Sequence, residues 1–108
     1  MKGKDMRVLV AEDDLTTRTI LVGLLSKWGY EVQAVDDGAK AWEALQQDDS
    51  PSLALIDWVM PGMDGVDVIR KVRELRVENP PYLILLSSRD SKDDIVSGLE
   101  TGANDYIK

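Results

Sequence analysis

The sequence predicts an α/β fold built on an open parallel sheet. Short apolar runs alternate with segments of helical period along the whole chain. No hairpin signal joins one apolar run to the next. The runs are continuous rather than alternating, as in strands covered on both faces. Parallel neighbours then need right-handed crossovers, and the intervening helices supply them.

The elements follow in order. Arg7-Val8-Leu9-Val10-Ala11 is a short buried strand that stops at Glu12-Asp13-Asp14. Residues 15–28 read as a helix, with Ile20, Leu21, Leu24, Leu25 and Trp28 as one apolar stripe. Asp14 suits its N-cap and Gly29 its C-terminal stop. Residues 31–35 form a second strand, and Asp36-Asp37-Gly38 a turn. Residues 39–47 form a second helix with Ala41, Trp42 and Leu45 inward. Leu53-Ala54-Leu55-Ile56 is a central strand ending at Asp57. Pro61, Gly62 and Gly65 mark a loop. A third helix buries Val68, Ile69, Val72 and Leu75 and closes at Asn79-Pro80-Pro81. Tyr82-Leu83-Ile84-Leu85-Leu86 is a fourth strand ending at Ser87-Ser88. Ser91 caps a fourth helix running to about Thr101, stopped by Gly102, and residues 105–108 begin a fifth strand.

Composition narrows the chemistry. At 108 residues the chain suits one domain, spanning residues 1–108. With no Phe, three Trp and three Tyr, its core must be aliphatic. A net charge of −7 repels nucleic-acid phosphate. The absence of Cys and His removes disulfides, thiolate metal sites and the Ser-His-Asp and Cys-His nucleophile arrangements. Residues 1–6 are short and charged with no apolar segment after them. No run approaches the roughly 20 apolar residues of a membrane span. A cytoplasmic setting without membrane contact is expected.

In open parallel sheets, sites form at the carboxyl ends of the strands. Here those ends carry Glu12, Asp13 and Asp14, then Asp57, then Ser87 and Ser88. If the first and third strands are neighbours, three carboxylates converge beside a hydroxyl. Gathered carboxylates need a compensating charge, and Mg²⁺ suits oxygen ligands and phosphate. A carboxylate beside Mg²⁺ is equipped to accept a phosphoryl group. Taken singly, Asp14 is a cap, Ser87 and Ser88 are turn hydroxyls, Lys108 is solvated, and Trp28 and Trp42 are core or edge packing. The coincidence of acids and hydroxyls at separate strand ends favours a site.

These residues resemble the response-regulator receiver domain of two-component signalling. The resemblance rests on Val8-Leu9-Val10-Ala11-Glu12-Asp13-Asp14, on Leu55-Ile56-Asp57-Trp58-Val59-Met60-Pro61-Gly62-Met63-Asp64-Gly65, on Leu85-Leu86-Ser87-Ser88 and on Gly102-Ala103-Asn104-Asp105-Tyr106-Ile107. It implies a flavodoxin-like, doubly wound five-stranded parallel sheet of order 2-1-3-4-5. It implies Asp57 as phosphoacceptor, and Glu12, Asp13, Asp57 and the Val59 carbonyl around Mg²⁺. Ser87 would bind a phosphoryl oxygen and move together with Tyr106, while Trp58, Ser88 and Arg89 form the rim. Apolar Val59 offers no group to orient water, which implies slow self-dephosphorylation. The implied partners are a sensor histidine kinase or phosphotransfer protein and an output domain or downstream protein, with a homodimer in the complete form. Such a chain is a switch rather than a turnover enzyme. The family's lysine is expected one residue after Lys108, followed by Pro and a fifth helix. The natural polypeptide is therefore expected to continue, this chain stopping in or just after the fifth strand.

Two other classes compete. Glu12-x-Asp14-x-Thr16 echoes the Asp-x-Asp-x-Thr motif of Mg²⁺-dependent phosphatases of the haloacid-dehalogenase type, although Glu replaces the first Asp. A small flavodoxin-like nucleotide binder would need a Gly-rich phosphate loop, and none is present.

Overall fold

Helix starts are set by side chains that satisfy free backbone N–H groups. The Asp14 carboxylate accepts from the Thr17 N–H at 2.8 Å, Asp37 from Lys40 at 2.8 Å, and Ser91 from Asp94 at 3.1 Å. Gly29, at φ +95°, ends the first helix: its N–H donates to the Ser26 carbonyl and that of Tyr30 to Leu25. This pair of bonds is a Schellman ending, which needs the left-handed backbone that glycine adopts without strain.

The computed structural model describes residues 7–89 and 91–108. The short charged segment 1–6 lies outside them. The elements are β1 (Arg7–Ala11), α1 (Leu15–Lys27), β2 (Glu31–Val35), α2 (Gly38–Gln46), β3 (Leu53–Asp57), α3 (Gly65–Glu74), β4 (Tyr82–Leu86), α4 (Lys92–Glu100) and β5 (Asp105–Ile107). All strand pairs are parallel, in the order β2-β1-β3-β4-β5. No further helix follows β5 among the described residues. No described helix is long and apolar enough to cross a membrane.

Strand periodicity divides the core in two. Leu9, Ala11, Ala54, Ile56, Leu83 and Leu85 point to one face, where Ala41 and Leu45 of α2 and Val68, Ile69 and Val72 of α3 bury them. Val8 and Val10 point to the other, against Leu25 and Leu21 of α1. There α1 packs on β1 and β2. Leu53, Leu55, Ile84 and Leu86 on that face are only half-buried, and Tyr82 is exposed. The expectation of full cover on both faces therefore holds for β1 and for one side of β3 and β4.

The same limit corrects several core residues. Within the α1 stripe only Leu25 is buried and Leu21 half-buried, whereas Ile20 and Leu24 are exposed and Trp28, the C-cap, is 65% exposed. Leu75 is 43% exposed, because it lies past the last turn of α3 as its C-cap. Trp42 is half-buried at the edge of the core, with the Lys71 ammonium 5.8 Å from its ring centroid.

Candidate functional site

Register places the chemistry. Ala11 pairs with Ile56, Ile56 with Leu85, and Asp57 with Leu86. The residues that follow β1, end β3 and follow β4 therefore meet at one sheet edge. Glu12 extends the β1 ladder, its N–H donating to the Val35 carbonyl at 3.1 Å, and it is 6% exposed. Its Oε2 accepts from the Asp14 N–H at 3.0 Å. Asp13 is exposed and Asp57 half-buried. Carboxylate oxygens of Glu12, Asp13 and Asp57 all lie within 4.8 Å of one another.

The electrostatics follow from that spacing. Asp57 is pushed up to about 7, first by burial, then by the Glu12 charge, a hydrogen bond with Glu12 and the Asp13 charge. Asp14 belongs to the cap instead: the Thr17 N–H holds its carboxyl below the usual range. The donor set fits a hard divalent cation, because it offers only oxygens and carries the repulsion such an ion relieves. Val59, the expected carbonyl ligand, follows two residues after Asp57 with its side chain 58% exposed.

Two glycines set how closely the loop can pass. The Gly65 N–H donates to the Trp58 carbonyl at 2.7 Å, and a Cβ at Gly65 would run into the Asp57 carbonyl oxygen. A Cβ at Gly38 would strike the Met63 carbonyl oxygen. Its turn chemistry marks Gly65 in the sequence as a loop breaker. The loop's return onto the Asp57 backbone requires a residue without a side chain.

Ser87 is half-buried at the end of β4, its N–H bonded to the Ile107 carbonyl at 3.0 Å. Its Oγ accepts from the Arg89 N–H at 2.9 Å, so the turn role coexists with its place at the site. The Tyr106 hydroxyl donates to the Arg89 carbonyl at 2.7 Å. The Tyr106 ring meets Trp58 edge-on, with centroids 6.1 Å apart and planes at 77°. Trp58, expected at the rim, is 9% exposed, with the Arg89 guanidinium over its ring at 4.8 Å. Ser88 and Arg89 are exposed on the rim, and Lys108 is exposed at the end of β5.

Arg18 was not anticipated. Its Nη1 donates to the Glu12 carbonyl at 2.8 Å and lies 3.4 Å from that of Asp13, clamping the acidic loop from α1. The available signal was its spacing, one turn after the Asp14 cap.

Comparisons with known proteins identify the family. The model of the response regulator receiver domain matches residues 8–108, and the chain belongs to that family. It is thus a CheY-like receiver domain of two-component signalling. It is 36% identical over 104 residues to the chemotaxis protein CheY1 of Helicobacter pylori, covering 94% of this chain and 83% of that protein. It is 37% identical to the response regulator MprA of Mycobacterium leprae, covering 94% of this chain and 43% of that longer protein. The BeF3-activated N-terminal receiver domain of Klebsiella pneumoniae RstA superposes with a TM-score of 0.83 at 32% identity, covering 94% of this chain and 83% of that one. The phosphatase alternative loses its motif, since Asp14 is held in a helix cap outside the carboxylate cluster.

Proposed function

We propose that residues 1–108 act as a phosphoacceptor unit in which Asp57 takes one phosphoryl group from a histidine kinase or phosphotransfer protein. The observation that carries this reading is the convergence of Glu12, Asp13 and Asp57 within 4.8 Å at the carboxyl edge of the sheet. An Asp57 oxygen attacks phosphorus, the donor's P–N bond breaks, and its electron pair returns to the histidine nitrogen. Glu12, Asp13, Asp57 and the Val59 carbonyl would hold Mg²⁺, which when bound offsets phosphoryl charge. Ser87, at the end of the neighbouring strand, donates its hydroxyl proton to a phosphoryl oxygen while still accepting from the Arg89 N–H. Ser87 and Tyr106 then shift, and the face formed by β4 and α4 passes the change to an output domain or partner. Water attack on the acyl phosphate releases inorganic phosphate and restores the carboxylate. Exposed, apolar Val59 gives no hydrogen bond to that water, so the phosphoryl group is expected to persist for minutes or longer. Decay within seconds would contradict this.

The test is incubation with Mg²⁺ and acetyl phosphate, read by intact mass. One added phosphoryl group is expected on the wild type and none on Asp57→Asn. Equal labelling of both chains, or labelling of neither, would remove the proposal. Multiple turnover of a phosphate ester would point to a phosphatase instead.

A further inference from the structure

Two loops carry the proposed Mg²⁺ ligands. One follows β1 with Glu12 and Asp13, and the other follows β3 with Val59. The turn between β2 and α2, residues 35–38, touches both. At one end the Val35 carbonyl accepts the Glu12 N–H at 3.1 Å. At the other the Gly38 N–H donates to the Pro61 carbonyl at 3.4 Å. That same carbonyl accepts the Met63 N–H at 3.0 Å around Gly62, which stands at φ +81°. This is a γ-turn with positive central φ, a rare form. Gly38 is buried against it: a Cβ there would overlap the Met63 carbonyl oxygen and lie 2.6 Å from its carbon. Both atoms are backbone, so no side-chain rotation makes room. The bond from the Gly65 N–H to the Trp58 carbonyl, at 2.7 Å, closes the same loop on its far side.

We propose that the β2–α2 turn is a strut between the two ligand loops, and that Gly38 is its positioning residue, fixing where the Val59 carbonyl stands relative to Glu12 and Asp13. This rests on the metal-site reading above. A Cβ at Gly38 displaces the Met63 backbone, and the closed loop passes that shift to Val59 instead of opening. No carboxylate is altered by the change. Mg²⁺ demands near-octahedral geometry at about 2.0 to 2.1 Å, whereas Ca²⁺ accepts irregular oxygen sets at about 2.3 to 2.6 Å. A strut that places ligands therefore matters more to the smaller ion.

The experiment follows the Asp13 and Asp57 amide NMR signals during titration with Mg²⁺ and, separately, with Ca²⁺, beside urea midpoints. Gly38→Ala is compared with Gly23→Ala in α1, where a new Cβ meets nothing within 4 Å. Gly38→Ala is expected to lose roughly tenfold in Mg²⁺ affinity, as for other groups that orient ligands indirectly. Its Ca²⁺ affinity should fall clearly less, and Gly23→Ala should bind both ions as the wild type does. Wild-type Mg²⁺ affinity in folded Gly38→Ala overturns the proposal even if the urea midpoint drops, because the contact is then packing alone. Equal loss of both ions overturns it too. If Gly38→Ala does not fold, Asp37→Ala takes its place: it frees the Lys40 N–H and loosens the first turn of α2 without adding an atom. An unchanged preference between the two ions in that variant overturns the role of the turn. A wild-type chain whose Asp13 and Asp57 signals ignore Mg²⁺ removes the metal-site reading itself.

Discussion

Asp57 is pushed up to about 7, first by burial and then by its Glu12 and Asp13 neighbours. An unfolded chain releases the Asp57 proton near the ordinary aspartate value of 3.8. Between these values the folded state binds more protons than the unfolded one, so this group makes stability fall as pH rises. The loss is complete above about pH 7. Asp57→Asn is therefore expected to stabilise the chain at pH 8 by about 1 to 2 kcal/mol, a figure reduced because water screens a half-exposed carboxyl. At pH 4 the two chains should have similar urea midpoints. Mg²⁺ should raise the wild-type midpoint at pH 8 far more than that of Asp57→Asn; an equal rise would place the ion elsewhere. Gly98 exerts a steric control of the same size. A Cβ there would lie 2.8 Å from the Leu85 Cδ2 and 3.0 Å from the Tyr106 Cε2. Alanine gains about 1 kcal/mol of helix propensity but overpacks by about 1 to 3 kcal/mol. Gly98→Ala is expected to lower stability modestly in urea titration and to move the half-exposed Tyr106 ring, seen in its NMR shifts, because buried Leu85 cannot yield.

At the scale of elements, α1 does two jobs at its first turns. Asp14 caps it, and Arg18 reaches back to the carbonyls of Glu12 and Asp13. The helix therefore fixes the backbone that carries two of the three clustered carboxylates. Arg18→Ala removes the clamp without removing a proposed ligand. Mg²⁺ affinity is expected to fall roughly tenfold, as for other groups that orient ligands indirectly. Titration of Trp58 fluorescence in a Trp28→Phe, Trp42→Phe background would measure it. Unchanged affinity would show that the caps and ladder alone hold the loop.

Across the molecule, the opposite sheet edge is fastened by Arg73. From α3 its Nε donates to the Gly102 carbonyl at 2.8 Å, Nη1 to Pro81 at 2.9 Å and Nη2 to the Asn104 Oδ1 at 2.7 Å. The same Asn104 oxygen accepts the Leu83 N–H at 2.8 Å. One side chain thus links α3, the entry to β4 and the approach to β5, the short edge strand that carries Tyr106. Burial lowers the Arg73 value, but hydrogen-bonded oxygens surround the charge and keep it satisfied. Arg73→Ala is expected to cost about 2 to 3 kcal/mol. Hydrogen exchange should quicken first in β5, and a uniform change across the sheet would refute a local fastening.

The sequence by itself determined the order of elements, the ends of the strands, the caps at Asp14 and Ser91, the stop at Gly29 and the loop after Asp57. All of these depend on period and turn chemistry among close neighbours in the chain. The acids and hydroxyls at the strand ends were legible for the same reason. Tertiary structure decided which of them meet: β1 lies beside β3, Glu12 and Asp13 join Asp57, and Asp14 does not. It also decided that Ile20, Leu24 and Leu75 stay exposed despite their helical pattern. The partners of Arg18, Arg73 and Arg89 became visible only in the fold. A long cation can satisfy its donors on many carbonyls or rings, and only crossover geometry and strand register select among them.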